Sequence, residues 1–402
     1  MKSIQNRSRI QVVINSLIFS ILLMHVNTVI MSVASAQDDG LPVEIQADLI
    51  MKSAQKSTVE KKWDAAVVDY EKLIKLEAVL PVEFSFHYAE ALFKVGKYDN
   101  SLVNLKKYIK KVGRDGANYN DALDLVIEVK EKKTENDAKK ELAERFLKEL
   151  NKDMVLVNGS CFMMGDNFGD GDRNEQPVHE VCVDGFYVGK HEISVSAFRD
   201  FVKETGYETE SNAGDGMPYF ADKEWKEDHN RYWDKPGFSQ TNIHPIVGVS
   251  WYDTQEYINW LNYKTGMNFR LPTEAEWECA ARSGGKKEKW AGTSNESGLG
   301  RYTWYEGNSG KRTHPVGQKE PNGLGLYDMS GNVWEWVEDW YDKDYYEKSP
   351  EKNPKGSSAG IHHIIRGGSW SSFPRFMRAS HRLSFSPDHR DACLGFRLAR
   401  TP

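Results

Sequence analysis

The chain has 402 residues, of which 28% are charged and 39% are hydrophobic, and its formal net charge is −6. This length allows two or three domains, each with its own core, and the composition is that of a soluble globular protein. The acidic balance argues against a general nucleic-acid-binding protein, which would carry a basic surface. All but one of the twelve tryptophans follow residue 220, which predicts two halves of different architecture.

Residues 1–36 have the pattern of a cleavable signal peptide: a basic start, an apolar stretch from Val12 to Val26, and small residues ending at Ala36. Cleavage after Ala36 predicts a periplasmic or secreted protein. Asn15 and His25 interrupt the apolar stretch, and a retained N-terminal anchor is the alternative. No later segment approaches the roughly 20 apolar residues that span a bilayer, so we expect no stable membrane span in the mature chain.

Residues 41–150 predict an all-α domain. Apolar residues recur at helical spacing around Trp63 and again around Tyr98, 35 residues later. This interval is close to the ~34-residue period of tetratricopeptide repeats, so we expect a tetratricopeptide-like array. A third helix over 119–132 and a charged helix over 136–150 complete the prediction. The array is either a docking groove for an exported protein or peptide, or a plain helical spacer.

Residues 153–400 predict an irregular, loop-rich α+β domain, because short apolar runs alternate with Gly, Asp, Asn and Pro. Ser194 or Ser196 is expected to cap one helix, and Thr273 with Glu276 has the spacing of a capping box. Residues 208–239 show no clear period and predict a long aromatic loop. The acidic loop 166–177 is weakly like a calcium loop but misses the ligand spacing, which favours a solvated loop.

Four cysteines, Cys161, Cys182, Cys279 and Cys393, all lie in this second half. Export makes disulfides possible, and four cysteines allow three pairings. Cys161 and Cys182 lie in neighbouring strand-like segments, which favours that pair and leaves Cys279 with Cys393 as the remainder.

The segment 323–340, GLGLYDMSGNVWEWVEDW, predicts a turn at residues 330–332 followed by a strand. Period-two alternation sends Trp334 and Trp336 to one face and Glu335 to the other. Glu335 either points to water, or it meets a cation together with Asp328 and turn carbonyls, which is the donor mixture that Ca²⁺ prefers.

Five blocks occur in order between residues 154 and 400: HPIVGVSWYDTQEYINWL, RLPTEAEWECAARSG, PNGLGLYDMSGNVWEW, RGGSW and LGFRLAR. These blocks resemble the signature of the formylglycine-generating enzyme (sulfatase-modifying factor) family. The resemblance implies a modified C-type-lectin-like fold with little regular secondary structure.

The resemblance also implies a structural Ca²⁺. Its ligands would be the side chains of Asp328 and Glu335 and the carbonyls of Gly331 and Val333. A second calcium site of the family is not expected, because the loop GNSGKRTHPVG is too short for it.

The catalytic segment departs from the family pattern. Oxidising members hold copper with two cysteines, and their positions are Ser372 and Met377 here. Neither residue supplies the thiolate that selects Cu(I), so we expect no copper. Ser369 and Trp334 of the former pocket remain. Cys393 is expected to lie too close to the final strand to substitute.

The sulfoxide-synthase branch of the family uses iron on histidines of a helical domain, but the helical region here has only His87. Four histidines near the former pocket either bind a metal or are solvated: His362, His363, His381 and His389. Three arginines either recognise an acidic ligand or bind carboxylates and carbonyls within the domain: Arg378, Arg382 and Arg397.

The sequence thus favours an exported, calcium-stabilised binding or assembly module of the cell envelope that lacks the copper centre. The alternative is a divergent oxidase or maturation enzyme acting on an exported peptide or siderophore. A true formylglycine-generating oxidase is the third possibility.

Overall fold

The computed structural model describes residues 41–221 and 224–402. The chain forms two compact units, which divide between Lys140 and Glu141. The predicted signal peptide, with its cleavage point at Ala36, lies outside the described residues. No helix in the described part of the chain has the length and apolar character needed to cross a membrane.

The first unit is all-helical, as predicted. Its helices are α1 (Val43–Val59), α2 (Trp63–Lys75), α3 (Phe84–Lys94), α4 (Tyr98–Val112) and the first part of α5 (Tyr119–Lys152). Helix α1 packs on α2 and α3 packs on α4. Trp63 and Tyr98 are the first residues of α2 and α4, so the interval between them is a repeat of structure as well as of sequence.

Small residues let these helices approach closely. Ala54, Ala66 and Ala89 are fully buried, and each is surrounded by larger apolar side chains. The two clusters of the unit contain, among others, Tyr70, Leu73, Tyr88, Leu92, Phe93, Leu105 and Tyr108.

The prediction of two separate helices over 119–132 and 136–150 is wrong, because α5 runs without a break from Tyr119 to Lys152. Residues 133–135 are Lys, Thr and Glu. None of them is a helix breaker such as Gly or Pro, and Lys133 and Glu135 form i,i+4 ion pairs with Asp137 and Lys139.

The second unit is a mixed α+β domain with small sheets, as predicted. One sheet has the order β1 (Met154–Val157), β4 (Phe186–Gly189), β12 (Ala399–Arg400), β7 (Phe269–Arg270). The other has the order β10 (Arg382–Phe385), β9 (His363–Arg366), β8 (Trp334–Trp340), β11 (Leu394–Phe396). Two hairpins pair β2 (Ser160–Met164) with β3 (His179–Val183) and β5 (Met217–Ala221) with β6 (Glu224–Asp228). The β5–β6 hairpin corrects the predicted continuous loop over 208–239.

The helices of this unit are α6 (Val195–Thr205), α7 (Trp251–Thr265), α8 (Glu274–Ala281) and the short α9 (Tyr345–Lys348). Of the two expected caps of α6, Ser194 is the one used: its Oγ accepts the N–H of Ala197 at 3.2 Å. Thr273 and Glu276 form the predicted capping box at the start of α8.

Strand β8 is shared between two cores. Trp334 and Trp336 pack into one aromatic cluster with Trp260, Tyr257 and Phe396. Val337 belongs to a second cluster. The period-two alternation therefore predicts the two faces of this strand correctly, and both faces are buried.

Candidate functional site

The turn before β8 depends on left-handed backbone conformations. Asp328, Gly331 and Asn332 have φ values of 56°, 89° and 59°. A Cβ on Gly331 would lie 1.9 Å from Thr303 Oγ1 and 2.3 Å from the Trp304 carbonyl oxygen. Only glycine fits there, and this close approach fixes where β8 begins.

Glu335 is fully buried, so the alternative in which it points to water is wrong. Its carboxylate accepts two hydrogen bonds from Arg397, at 2.6 Å and 2.7 Å, and one from Trp277 Nε1 at 2.7 Å. Arg397 also donates to the carbonyls of Gly189 and Tyr327 at 2.9 Å and 3.0 Å. The predicted alternative that Arg397 binds groups within the domain is therefore confirmed.

Two further buried carboxylates lie near this pair. Asp328 Oδ2 accepts the N–H of Gly317 at 2.8 Å, while its Oδ1 is buried without a partner. Glu192 accepts from the Asn332 side chain at 2.9 Å and from the Val333 N–H at 3.3 Å. Glu192 is a further residue of this cluster that was not predicted from the sequence; the available signal is an acidic residue within the segment HEISVS.

Burial raises the pKa of both carboxyls. The pKa of Asp328 is raised to about 6, mainly because the group is desolvated. The pKa of Glu192 is raised well above its ordinary value by burial and by the neighbouring charges of Asp328 and Glu335. Three carboxylates face one guanidinium, so a second cation would be favourable here.

The predicted calcium ligands fit a hard cation unequally. Asp328 offers a buried carboxylate oxygen with no partner, which is the donor type that Ca²⁺ takes. The oxygens of Glu335 are already engaged by Arg397 and Trp277. Asp328 is therefore the residue of the set that most clearly lacks a partner for its charge. Bound calcium would supply that charge compensation and hold the turn at Gly331 and Val333.

The two positions at which the family resemblance places copper cysteines have different surroundings. Ser372 Oγ accepts the backbone N–H of Ser369 at 3.0 Å, and Ser369 itself is fully buried. Met377 is also fully buried, beside Trp290 and Leu299, and Thr303 Oγ1 lies 3.5 Å from its Sδ. Met377 therefore fills a separate core.

A cavity of about 520 Å³ lies over Ser372. Its lining combines apolar, largely aromatic side chains with hydroxyl, thiol, imidazole and carboxylate groups. The lining residues are Pro218, Trp334, Ser371, Ser372, Phe373, Phe376, Leu383, Phe385, His389, Asp391 and Cys393. Its volume is in the usual range for small-molecule sites, about 300–1,000 Å³.

Cys393 lines this cavity just before β11. Its expected inability to substitute for a copper cysteine stays a prediction. Its Sγ lies 3.3 Å from Ser371 Oγ, and its N–H donates to Asp391 Oδ1 at 2.6 Å. Burial, and then the charge of Asp391, raises the pKa of this thiol well above its ordinary value, so the group is a thiol at neutral pH.

One of the two predicted cysteine pairs is confirmed and the other is not. Cys161 and Cys182 lie directly opposite each other on β2 and β3 and form a disulfide. The remaining pair, Cys279 with Cys393, is not formed, and both residues are free buried thiols. Cys279 lies in α8 in the second core cluster, whereas Cys393 belongs to the first.

The histidines near the cavity do not come together as a metal site. His363 is stacked between Trp251 and Trp340, with ring centroids at 4.0 Å and 3.8 Å. His389 lines the cavity and stacks on Phe385. His362 lies outside the lining and uses its carbonyl to accept the Tyr341 N–H.

His381 Nδ1 lies 3.4 Å from Glu175 and 3.5 Å from Asp172. These three residues are a group of metal-ligand type within the described ranges. Arg378 already donates to both oxygens of Glu175, so the group is an ion-pair cluster. Since Asp166 and Glu175 are buried, the prediction that loop 166–177 is simply solvated is wrong at these two residues.

Ion pairs join distant parts of the domain. Arg382 donates to Glu274 at 2.6 Å and 2.8 Å, and Arg366 donates to Glu278 at 2.5 Å. All four residues are almost completely buried. Arg378 and Arg382 are thus structural arginines, as the second alternative predicted.

Taken together, a loop-rich α+β domain with a buried acid cluster beside β8 and a cavity over the RGGSW loop defines a class of domain rather than one activity. The sulfatase-modifying factor enzyme 1-like domain family matches residues 139–402, and the chain belongs to this family, as the sequence blocks predict.

Two curated relatives show the range of proteins that carry the domain. The formylglycine-generating enzyme of Streptomyces coelicolor is 33% identical over 287 residues, which cover 61% of this chain and 88% of that enzyme. The serine/threonine-protein kinase Pkn1 of Chlamydia trachomatis is 34% identical over 251 residues, covering 62% of this chain. The matched part spans only 38% of that kinase.

A solved structure confirms the fold. PvdO from Pseudomonas aeruginosa is similar over 62% of this chain and 94% of its own length, with 27% identity and a TM-score of 0.52.

Proposed function

We propose that this chain is an exported member of the family whose domain binds a ligand in the cavity over Ser372 and performs no copper oxidation. The proposal depends mainly on the residues at the two positions where the family has copper-binding cysteines, Ser372 and Met377. Ser372 holds the Ser369 loop through a hydrogen bond, and Met377 is packed into a separate core. The cavity is present although the two copper-binding cysteines are absent.

The chemistry of the lining supports binding over oxidation. Among the residues that line the cavity, Cys393 is the one thiol. Cu(I) is selected by sets of soft ligands, and a single protonated thiol is a poor substitute for two thiolates. Apolar walls with a few convergent polar groups are typical of a binding site.

Calcium is proposed as the structural cation of the domain, held by Asp328 and the turn before β8. The unpartnered Oδ1 of Asp328 and the excess of buried carboxylates over guanidinium support this role. Export is supported by the Cys161–Cys182 disulfide and by the sequence pattern of residues 1–36. The helical unit is then an arm that engages an exported protein or peptide.

Two free thiols provide a direct test of the binding site, because Cys393 lines the cavity and Cys279 does not. The full chain is incubated with fractions of a periplasmic extract, treated with iodoacetamide at alkaline pH, because the thiolate is the reacting form and burial raises the pKa of both thiols, and read by peptide mass spectrometry. A fraction that holds the ligand slows alkylation of Cys393 and leaves Cys279 unchanged. In a Leu383→Trp variant, which fills the cavity, the same fraction gives no protection. Tyr263→Trp, at a position 92% exposed, is the matched control and retains it. Equal alkylation of Cys393 with every fraction overturns the proposal.

A maturation enzyme acting on an exported peptide is the second candidate, and the Cys393 thiol in the cavity is the observation that favours it. Incubating the protein and copper with a C-x-P-x-R peptide tests the oxidase form of this candidate. Conversion of the peptide cysteine to an aldehyde, with dioxygen as the oxidant, an added thiol as the source of the remaining two electrons and the sulfur released as hydrogen sulfide, would replace the binding proposal if Cys393→Ser abolished it.

A further inference from the structure

Aromatic rings dominate the wall of the cavity. Trp334, Phe373, Phe376 and Phe385 all line it, and the His389 ring stacks on Phe385 with centroids 4.1 Å apart. Phe373 is 56% exposed, so its ring is accessible to a ligand. The faces of such rings carry negative electrostatic potential and attract cations.

The carboxylate of the lining is negatively charged and the faces of the aromatic rings carry negative potential, so both attract cations. Asp391 is the one carboxylate of the lining residues, and none of the described lining residues is Lys or Arg. Asp391 Oδ1 accepts the N–H of Cys393 at 2.6 Å, and Oδ2 lies 3.2 Å from His389 Nε2. The lining also carries two neutral hydroxyls, on Ser371 and Ser372. An anionic ligand would lie near the Asp391 carboxylate and would meet no permanently charged Lys or Arg of the lining, whereas a cation would meet that carboxylate.

One ring of the wall already has a cation over it. The Arg375 guanidinium carbon lies 4.3 Å from the centroid of the Phe376 ring. Arg375 is exposed and is not among the lining residues.

We propose that the cavity binds an organic cation, specifically an alkylated ammonium group, held by the aromatic wall and the Asp391 carboxylate. The inference rests on the proposed function, because it takes the cavity to be a ligand site, and it names the chemical class of the ligand. The alkylated ammonium belongs either to a free small molecule or to a methylated side chain of a peptide.

The decisive comparison uses choline and 3,3-dimethyl-1-butanol, in which carbon replaces the charged nitrogen and the shape is kept. Both are titrated into the full chain and followed by tryptophan fluorescence and calorimetry. Choline is expected to bind at least about fivefold more tightly than the neutral alcohol, as a desolvated cation–π contact requires. A peptide containing trimethyllysine, set against its unmethylated form, distinguishes a side-chain source from a free cation.

Variants of the lining distinguish the effect of the ligand's charge on binding from the effect of its shape. Asp391→Asn keeps an acceptor for the Cys393 N–H and should reduce the preference for choline toward unity. Phe385→Leu should weaken choline more than the alcohol, while Tyr263→Leu, far more exposed, should change neither. Arg375→Gln removes the guanidinium that lies over Phe376 and should tighten choline binding. Circular dichroism confirms that each variant is folded.

Two results overturn the inference. The first is that the alcohol binds as tightly as choline, which leaves the cavity a binding site for neutral ligands. The second is that choline and the trimethyllysine peptide both fail to bind. The Cys393 protection assay tests independently whether the cavity binds a ligand. A wrong ligand class can therefore be distinguished from the absence of a binding site.

Discussion

Arg397 donates to both carboxylate oxygens of Glu335, at 2.6 Å and 2.7 Å, and neither residue has any exposed surface. The pair joins β8 to the segment after β11. Arg397 is the direct ion-pair partner of Glu335, and the buried carboxyl groups of Glu192 and Asp328 interact with the same guanidinium. Removing one member therefore leaves a buried charge without its counterion.

We predict that Arg397→Met lowers the free energy of unfolding by about 3–5 kcal/mol, the range for breaking a buried ion pair. Urea denaturation in a buffer that contains Ca²⁺ measures this free energy. The double variant Arg397→Met, Glu335→Gln should recover part of the loss, because the charge of the carboxylate that Arg397 binds directly is then removed as well. A single variant as stable as the parent chain would show that the pair contributes nothing.

We predict that one Ca²⁺ binds per chain and raises the melting temperature. Asp328→Asn should lower the calcium affinity strongly, since it removes charge from the unpartnered oxygen. Asp172→Asn is the matched control, because Asp172 lies in the other cluster of metal-ligand type residues. Calorimetric titration after chelation measures both. Calcium binding lost in Asp172→Asn and retained in Asp328→Asn would move the site to that cluster.

We predict that the stability of the fold decreases in acid because of His363. Burial between Trp251 and Trp340 lowers its pKa to about 4, from an ordinary value of 6.5. Between pH 6.5 and 4 the unfolded chain therefore binds a proton at His363 that the folded chain does not bind. Protonation then favours unfolding, so the folded state has its full stability above pH 6.5 and loses stability as the pH falls towards 4. The loss should be about 3 kcal/mol. His363→Phe should remove this part of the pH dependence in denaturation curves, and His362→Phe should leave it. An unchanged pH profile in His363→Phe would contradict the assignment.

The Cys161–Cys182 disulfide closes a short loop, since the two cysteines are 21 residues apart. Loop-closure entropy predicts that reduction costs about 3 kcal/mol of stability. The melting temperature should fall with dithiothreitol in the parent chain and stay constant in the Cys161→Ser, Cys182→Ser double variant. If the double variant also responds to dithiothreitol, a different disulfide forms in solution.

Local patterns in the sequence predict local structure well. The alternation around Glu335 gives the two faces of β8, and the Thr273–Glu276 spacing gives a real capping box. The neighbouring strand-like segments of Cys161 and Cys182 pair in register. In each case the deciding interactions lie within a few residues or between adjacent strands.

Long-range partners could not be predicted in the same way. Arg378 pairs with Glu175 across 203 positions, and nothing near either residue indicates the other. Cys393 reaches the cavity because β11 runs parallel to β8, with Leu394 opposite Trp334. That crossover is a property of the sheet topology, and the short run CLGFRLAR does not encode it locally.

Copper titration of the reduced chain tests most directly whether the domain lacks a copper centre. We predict that a Cu(I) chelator removes all copper and that X-ray absorption shows no copper–sulfur coordination at one equivalent. One tightly held Cu(I) per chain with cysteine sulfur ligands, lost in Cys393→Ser, would contradict it.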